Sequence, residues 1–402
     1  VKIFGYLHEK MTNKDLGRVF LIDPSIFTPA YDLYLADGLK QAGASIEWLG
    51  SRDVWGMLDG YPGRPTDYFY KATNSLFGRS HSPLRQGFKL AEHVIGMAMV
   101  GNFARQHGVK LLHFQWSPVP GLDHLFWGRY KQQGFKIVFT VHNLLPHRPS
   151  LGDRENYVRL YRLADRLVVH DRRSREGLTG GFGLPAEKIT QINMPALPLP
   201  GQATIGPEEL KRQLGIDGQR IILCFGFIEN YKGFDLAVEA MASAKNLIPP
   251  DVVLVIAGRD DAGQAGHLKE LIRKYGLEKR IILRTGFMEQ AYLKSLMAAA
   301  DLCLFPYRRI SQSGALLTAM AEGKAVVGFD VGGIGETVEQ GRNGMVVKPG
   351  DAATLGKAVA QIFREPGLCQ SMGRESLALV AQRHSYLEAG RRTLRLYQEL
   401  LP

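Results

Sequence analysis

Residues 301–350 read DLCLFPYRRISQSGALLTAMAEGKAVVGFDVGGIGETVEQGRNGMVVKPG. An apolar run of strand length leads into a polar loop at 308–312, and a helix of small residues then starts near Ser313 and stops at Gly323. A helix N-terminus offers unpaired backbone N–H groups and a partial positive charge, so a loop carrying Ser311, Gln312, Ser313 and Gly314 at that point can hold a phosphate closely. A second strand-like run, AVVGF, delivers Gly332 and Gly333, then Gly335 and Glu336 at another helix start. Two glycine-bearing loops therefore leave the carboxyl ends of neighbouring strands, where open α/β sheets bind ligands.

Outward from this stretch, strand-length apolar runs alternate with amphipathic segments of helix length, the pattern of α/β proteins with parallel sheets. Upstream in the same half, runs at 220–226, 252–257 and 280–285 read as strands. The first half gives strands at 18–23, 45–49, 111–114, 136–141 and 166–170, a helix at 31–43 ended by glycine, and helices within 73–108. Between the halves, PALPLPGQATIGP at 195–207 is proline-rich and without hydrophobic periodicity, a linker. Two doubly wound units follow, 1–198 and 199–375, with a C-terminal helix at 376–402 that either finishes the second core or crosses back to the first. A chain of 402 residues suits this division, since a single core rarely grows to such a size.

At 45% hydrophobic and 22% charged residues the composition is that of an ordinary soluble protein, with no apolar stretch of about 20 residues to cross a bilayer. Charges at Lys2, Glu9, Lys10, Lys14 and Asp15 are unlike a secretory signal, so a cytosolic location is expected. Cys224, Cys303 and Cys369 lie far apart without metal-ligand spacing and read as reduced thiols. Of the net charge of +11, residues 1–198 carry +8 and residues 199–402 carry +3. The first half therefore has the stronger attraction for an anionic partner, either a membrane surface or a phosphorylated acceptor. No basic ladder interleaved with aromatics is present, so nucleic acid is not expected.

Eight arginines, at 148, 154, 159, 162, 166, 172, 173 and 175, extend this charge. The spacing of Arg159, Arg162 and Arg166 places them near one helix face, which is either simply solvated or suited to phosphate. Around 76–100, apolar residues mix with Arg79, Arg85 and Lys89, the pattern of a membrane-surface segment and equally of buried core helices.

The layout PYR, SQSG, LLTAMAEGKAVVG, GGIGE and GRNGMVVKPGD resembles the donor-binding half of the large retaining glycosyltransferase family four, which has the GT-B fold of two Rossmann-like domains facing a cleft. FGFIENYKGFDLAVEA at 225–240 resembles the same family's lysine segment, and TVHNLLPH at 140–147 its first-domain histidine loop. The resemblance implies that Lys232 neutralises the donor diphosphate, with Gly226 on the strand-end loop before it. Where the family usually has an arginine, Ile228, Glu229 and Asn230 stand, which leaves Arg308 and Arg309 as candidate phosphate cations. Where it commonly has two glutamates, this chain has Ile310 and Thr318. Ser311, Gln312 and Ser313 can still bond sugar or phosphate oxygens, and Thr318 the ribose. Glu336 either caps its own helix or accepts from donor hydroxyls. His142 is placed beside the reacting sugar by the resemblance; His147 and His170 are either cleft or ordinary loop residues. The family's first-domain glycine-rich loop is replaced by PSIFTP.

The expected function is transfer of a hexosyl unit from a nucleoside diphosphate sugar, UDP first and GDP second, to a saccharide or lipid-linked acceptor, with retention. The setting implied is envelope glycan assembly in bacteria, at the inner face of the plasma membrane. No other cofactor is expected, nor a metal: no two aspartates stand one residue apart, and Asp260 and Asp261 are the nearest approach. The rivals are an epimerase or hydrolase on the same fold and an inactive sugar-nucleotide-binding scaffold.

Overall fold

The structure, a computed structural model that describes residues 17–80, 82–146 and 150–401, contains two all-parallel sheets. The first has seven strands: β1 (Arg18–Ile22), β2 (Ser45–Ser51), β3 (Thr66–Phe69), β4 (Leu111–Phe114), β5 (Lys136–Thr140), β6 (Arg166–Val169) and β7 (Ile189–Gln191), in the order β3-β2-β1-β4-β5-β6-β7. Its helices are α1 (Pro29–Gln41), α2 (Lys71–Phe77), α3 (Pro83–Gln106), α4 (Pro120–Gln132), α5 (Asp153–Leu163) and α6 (Arg172–Glu176). The second sheet has β8 (Arg220–Phe225), β9 (Val252–Gly258), β10 (Ile281–Thr285), β11 (Leu302–Phe305), β12 (Ala325–Phe329) and β13 (Gly344–Val347), in the order β10-β9-β8-β11-β12-β13. Around it lie α7 (Pro207–Leu214), α8 (Phe234–Ser243), α9 (Ala265–Lys274), α10 (Gln290–Ala299), α11 (Gly314–Ala321), α12 (Ile334–Thr337), α13 (Ala352–Arg364) and α14 (Leu368–Arg383). The last helix is α15 (Tyr386–Leu400).

Helices on both faces explain why β9, VVLVIAG, is apolar and buried at every position instead of alternating. The strands without a clear sequence signal, β3, β7 and β13, are four residues or fewer and form sheet margins, where one side has no neighbour to demand apolar residues.

The single helix expected at 376–402 is instead the end of α14 followed by α15. The chain breaks at His384, whose Nδ1 bonds the Met194 carbonyl at 2.9 Å and whose carbonyl accepts from Ala196 N–H at 2.8 Å. Helix α14 packs on α11 and β12, while α15 returns to the first sheet and lies along α1. That crossing is close because small residues meet: a side chain on Gly390 would strike the Gly38 backbone. The segment at 195–207 is firmly held, with Leu199 N–H bonded to Glu322 and the Leu197 carbonyl accepting from Thr318. One apolar core consequently runs from Leu21 and Leu39 through Met194 and Leu199 to Leu223 and Tyr397, while a second fills the α3, α4 and α5 side of the first sheet.

Arg166 opens β6 instead of lying on α5, so only Arg159 and Arg162 of that trio share a helix. Helix α3 buries His93, Met97, Val100, Gly101 and Ala104 and turns an apolar face outward. His147 and Arg148 lie outside the described residues.

Candidate functional site

Strand order reverses between β1 and β4 in the first sheet and between β8 and β11 in the second, opening a crevice at the carboxyl ends of each pair. The two sets of strand ends meet. Across the gap Gln312 Nε2 donates to the His170 carbonyl at 3.2 Å, the Arg172 N–H donates to both Glu336 oxygens at 3.1 and 3.0 Å, and Arg173 pairs with Asp330 at 2.9 Å. A cavity of about 90 Å³ remains between His170, Asn193, Gln312, Glu336 and His384.

On the second-domain wall, β8 ends at Gly226, whose φ of +106° and close approach to the Lys232 ammonium leave no room for a side chain. Lys232 ends a single tight turn, Asn230–Lys232, and is only 7% exposed, its Nζ 5.6 Å from the centre of the Tyr307 ring. Burial lowers its pKa to about 8, against the opposing pull of Glu229 and Cys224. An anion arriving there would restore the ammonium's full preference for charge. Arg308 is engaged elsewhere: its guanidinium takes both Asp235 oxygens and the Asn230 carbonyl, bracing the lysine turn, and Asp235 holds its pKa up. Arg309 lies exposed on the same loop.

Ser313 caps α11, its Oγ accepting from Leu316 N–H at 3.1 Å. Ser311 offers its carbonyl to Gly333 N–H at 2.7 Å, and Gln312 lies against Gly333, so the two glycine loops are pressed together. Gly332 has φ of +50°, and a Cβ there would collide with the Ile310 carbonyl. Gly314 opens α11 with ordinary clearance. Thr318 is not available to a ribose as the sequence reading had it: it is nearly buried, and its hydroxyl donates to the Leu197 carbonyl at 2.8 Å. Glu336 caps neither its own short helix nor anything in its own domain; it receives the first N–H of α6 in the other domain. Asp260 accepts the Gln264 and Ala265 N–H groups at the start of α9, and Asp261 pairs with Arg259.

On the first-domain wall, His142 follows β5, stacked on Trp116 at 4.9 Å and met edge-on by Tyr31 at 4.8 Å. Its Nε2 faces Gln115 Oε1 at 3.3 Å, and an amide oxygen only accepts, so that nitrogen carries the proton and Nδ1 keeps its lone pair. The Gln115 amide N–H in turn donates to His113 Nε2 at 3.2 Å, which directs His113 Nδ1–H to the Tyr397 hydroxyl at 2.6 Å. Thr140 completes the set at 2.8 Å from His113 Nε2. His170 bonds the Ile192 carbonyl through Nδ1 at 2.8 Å. Burial lowers all three histidines, His113 to about 3 and His142 well below its usual value with His170 and His113 adding to the effect, so the wall is neutral at physiological pH. At the end of β1, Asp23 is buried beside Asp32; burial pushes Asp23 up to about 6 and Asp32 well above the usual carboxyl range.

Gln115 and Trp116 stand directly after β4 as His142 stands after β5, so the strand-end argument applied to 111–114 would have reached them. Tyr307 stands two residues after β11, as His142 does after β5, and was equally within its reach. Asp235 and Tyr397 had no such signal, because contact between distant segments brings them to the site.

The geometry defines a two-domain sheet protein with its site between facing strand ends, and solved structures share it. Over 95% of this chain and 99% of the other, it superposes with a TM-score of 0.72 on Anabaena Alr3699/HepE, solved with UDP-glucose, at 20% identity. Sucrose-phosphate synthase from Thermosynechococcus elongatus gives a TM-score of 0.71 over 96% of this chain and 99% of that one, at 18% identity. This is the GT-B fold. Residues 33–195 match the family model described as Glycosyltransferase Family 4, and residues 219–365 match Glycosyl transferases group 1. The chain belongs to the family-four glycosyltransferases. Among curated relatives, it is 28% identical over 236 residues, 58% of this chain, to alpha-D-kanosaminyltransferase of Streptomyces kanamyceticus. It is 29% identical over 201 residues, 48% of this chain, to the lipopolysaccharide core biosynthesis mannosyltransferase LpsB of Rhizobium meliloti. These matches span 60% and 56% of the relatives' own lengths, so the chain aligns with little more than half of each of these two proteins.

Proposed function

We propose that this protein transfers a hexosyl unit from a nucleoside diphosphate sugar, UDP-linked in the first instance and GDP-linked in the second, to an acceptor hydroxyl with retention at the anomeric carbon. The observation that carries the reading is Lys232, a buried ammonium at the β8/β11 switch point, beside the close-approach loop at Gly226 and near the capped start of α11. A group-transfer reaction of this kind asks the protein mainly to neutralise the leaving diphosphate and to align two substrates. Lys232 and the α11 N-terminus supply the first. The second falls to the opposing wall, where His142, neutral and fixed by Trp116, Tyr31 and Gln115, presents a lone pair to a sugar hydroxyl.

The acceptor class we favour is a saccharide or lipid-linked sugar presented at an anionic membrane surface, on which the +8 charge of residues 1–198 would favour peripheral docking. Among the described residues no helix is long and apolar enough to cross a membrane. The name of LpsB, a lipopolysaccharide core mannosyltransferase, supports such a setting by analogy. Incubation with radiolabelled donor, with and without acceptor, tests the proposal. A transferase consumes donor at speed only when both are present. Equal consumption without acceptor would make it a hydrolase, and none in either case would make it a binding scaffold, a reading to which Ile310 and Thr318 at the family's glutamate positions give its support.

A further inference from the structure

Helix α3 carries its apolar surface on the wrong side for a protein surrounded by water. Its inner face holds His93, Met97, Val100 and Ala104, while Leu84, Phe88, Ile95 and Met99, separated by whole helical turns, lie on the opposite face and are 62, 47, 58 and 57% exposed. Helix α2 adds Leu76 beside Phe77, whose ring meets Phe88 at 5.4 Å. Scattered exposed apolar residues are ordinary, but a continuous stripe along four turns marks a contact surface.

The charge around the stripe selects the partner. Lys71 and Arg79 lie exposed toward its α2 end, with Arg85, bonded to Asn74, and Lys89, over the Tyr70 ring, half-buried behind them. The one carboxylate in this stretch, Glu92, is occupied by the N–H groups of Ala72 and Thr73 at 2.8 and 2.9 Å. A second copy of the chain, related by a two-fold axis, would bring this same basic rim against itself with no acid to answer it. An anionic lipid surface meets both features: apolar side chains enter the acyl boundary and the ammonium and guanidinium groups lie at headgroup level.

We infer that the outer face of α3, with Leu76 of α2, docks on an anionic bilayer and that this docking is what brings the protein to a lipid-linked acceptor. The second clause rests on the transferase reading; the first does not. The measurement is co-flotation of the full chain with phosphatidylglycerol-containing and with pure phosphatidylcholine vesicles, alongside light scattering for mass. Wild type is expected to float with the anionic vesicles, less with the neutral ones, and less again as salt rises. Phe88→Asp with Ile95→Asp, both at exposed positions, is expected to weaken binding at least about tenfold while leaving turnover of a soluble acceptor unchanged. Lys71→Glu should weaken anionic binding alone. The inference is overturned if wild type floats with neither vesicle, if the double variant binds as wild type does, or if wild type is a dimer that the double variant converts to monomer. Flotation is read without donor or acceptor, so a failed transferase reading leaves this result standing, and the reverse also holds.

Discussion

At the scale of single residues, the site is set by how burial changes charge. Lys232 keeps a proton that a diphosphate would hold more tightly, whereas His113, His142 and His170 are held neutral by desolvation. The histidines have a consequence for acid stability. Their folded pKa values lie below the unfolded value of about 6.5, so below that pH the unfolded chain binds more protons and each opposes folding by up to about 1.4 kcal/mol per pH unit. Asp23 acts in the opposite sense: with a folded pKa near 6 and an ordinary unfolded one, it adds stability as pH falls through about 6 to 4. Asp32, raised likewise, adds to Asp23, and His384, lowered by burial, adds to the other three histidines. With four groups against two, thermal unfolding followed by circular dichroism should show stability falling from pH 6.5 to 5, and falling more steeply in Asp23→Asn. A flat or rising curve in wild type would refute the neutral-histidine wall.

At the scale of elements, function depends on loops pressed against one another more than on the helices behind them. Gly332 is a clear case, since any side chain there meets the Ile310 backbone carbonyl, which cannot swing away. Gly332→Ala combines that collision with a positive φ, and is expected to cost about 1–3 kcal/mol of stability and to raise the donor KM by displacing the loop ahead of α11. Denaturant melts with initial-rate kinetics check it; an unchanged KM would mean this loop does not shape the donor site. What the sequence made legible follows the same division. The run from 301 to 350 shows strand, loop and helix start together because apolar period, capping serine and glycine all change at the same points. The crossing of α15 was not legible, because an amphipathic helix with Leu394, Leu396 and Tyr397 fits either core, and only Gly38 meeting Gly390 decides which. Thr318, and the reading of Glu336 as a cap of its own helix, went astray for a related reason. Their side chains answer to the linker and to α6, segments more than a hundred residues away whose proximity no local pattern encodes.

At the scale of the whole molecule, two sheets share one cleft that the cross-links at Gln312, Glu336 and Asp330 hold nearly shut. The roughly 90 Å³ between His170 and Glu336, which reaches neither Lys232 nor His142, is well below the about 300–1,000 Å³ of a substrate-sized site, so a substrate lying between these two residues would need the cross-links to open. Removing two cross-links in Glu336→Ala with Asp330→Ala should therefore enlarge the radius of gyration seen by small-angle scattering, and an unchanged profile would show that these contacts do not hold the closure. In the proposed reaction Lys232 and the α11 N-terminus would supply the positive charge at the diphosphate, so transfer should survive excess EDTA within about two-fold; abolition by chelator and rescue by magnesium or manganese would contradict this. The central claim is that the leaving diphosphate is neutralised by the buried lysine of the second half. Steady-state transfer by Lys232→Ala tests it most directly, given a circular dichroism spectrum like that of wild type. Loss of roughly 100-fold or more in turnover is the expected result for removal of a charge that stabilises a developing anion. Near-normal turnover in that folded variant would contradict the assignment.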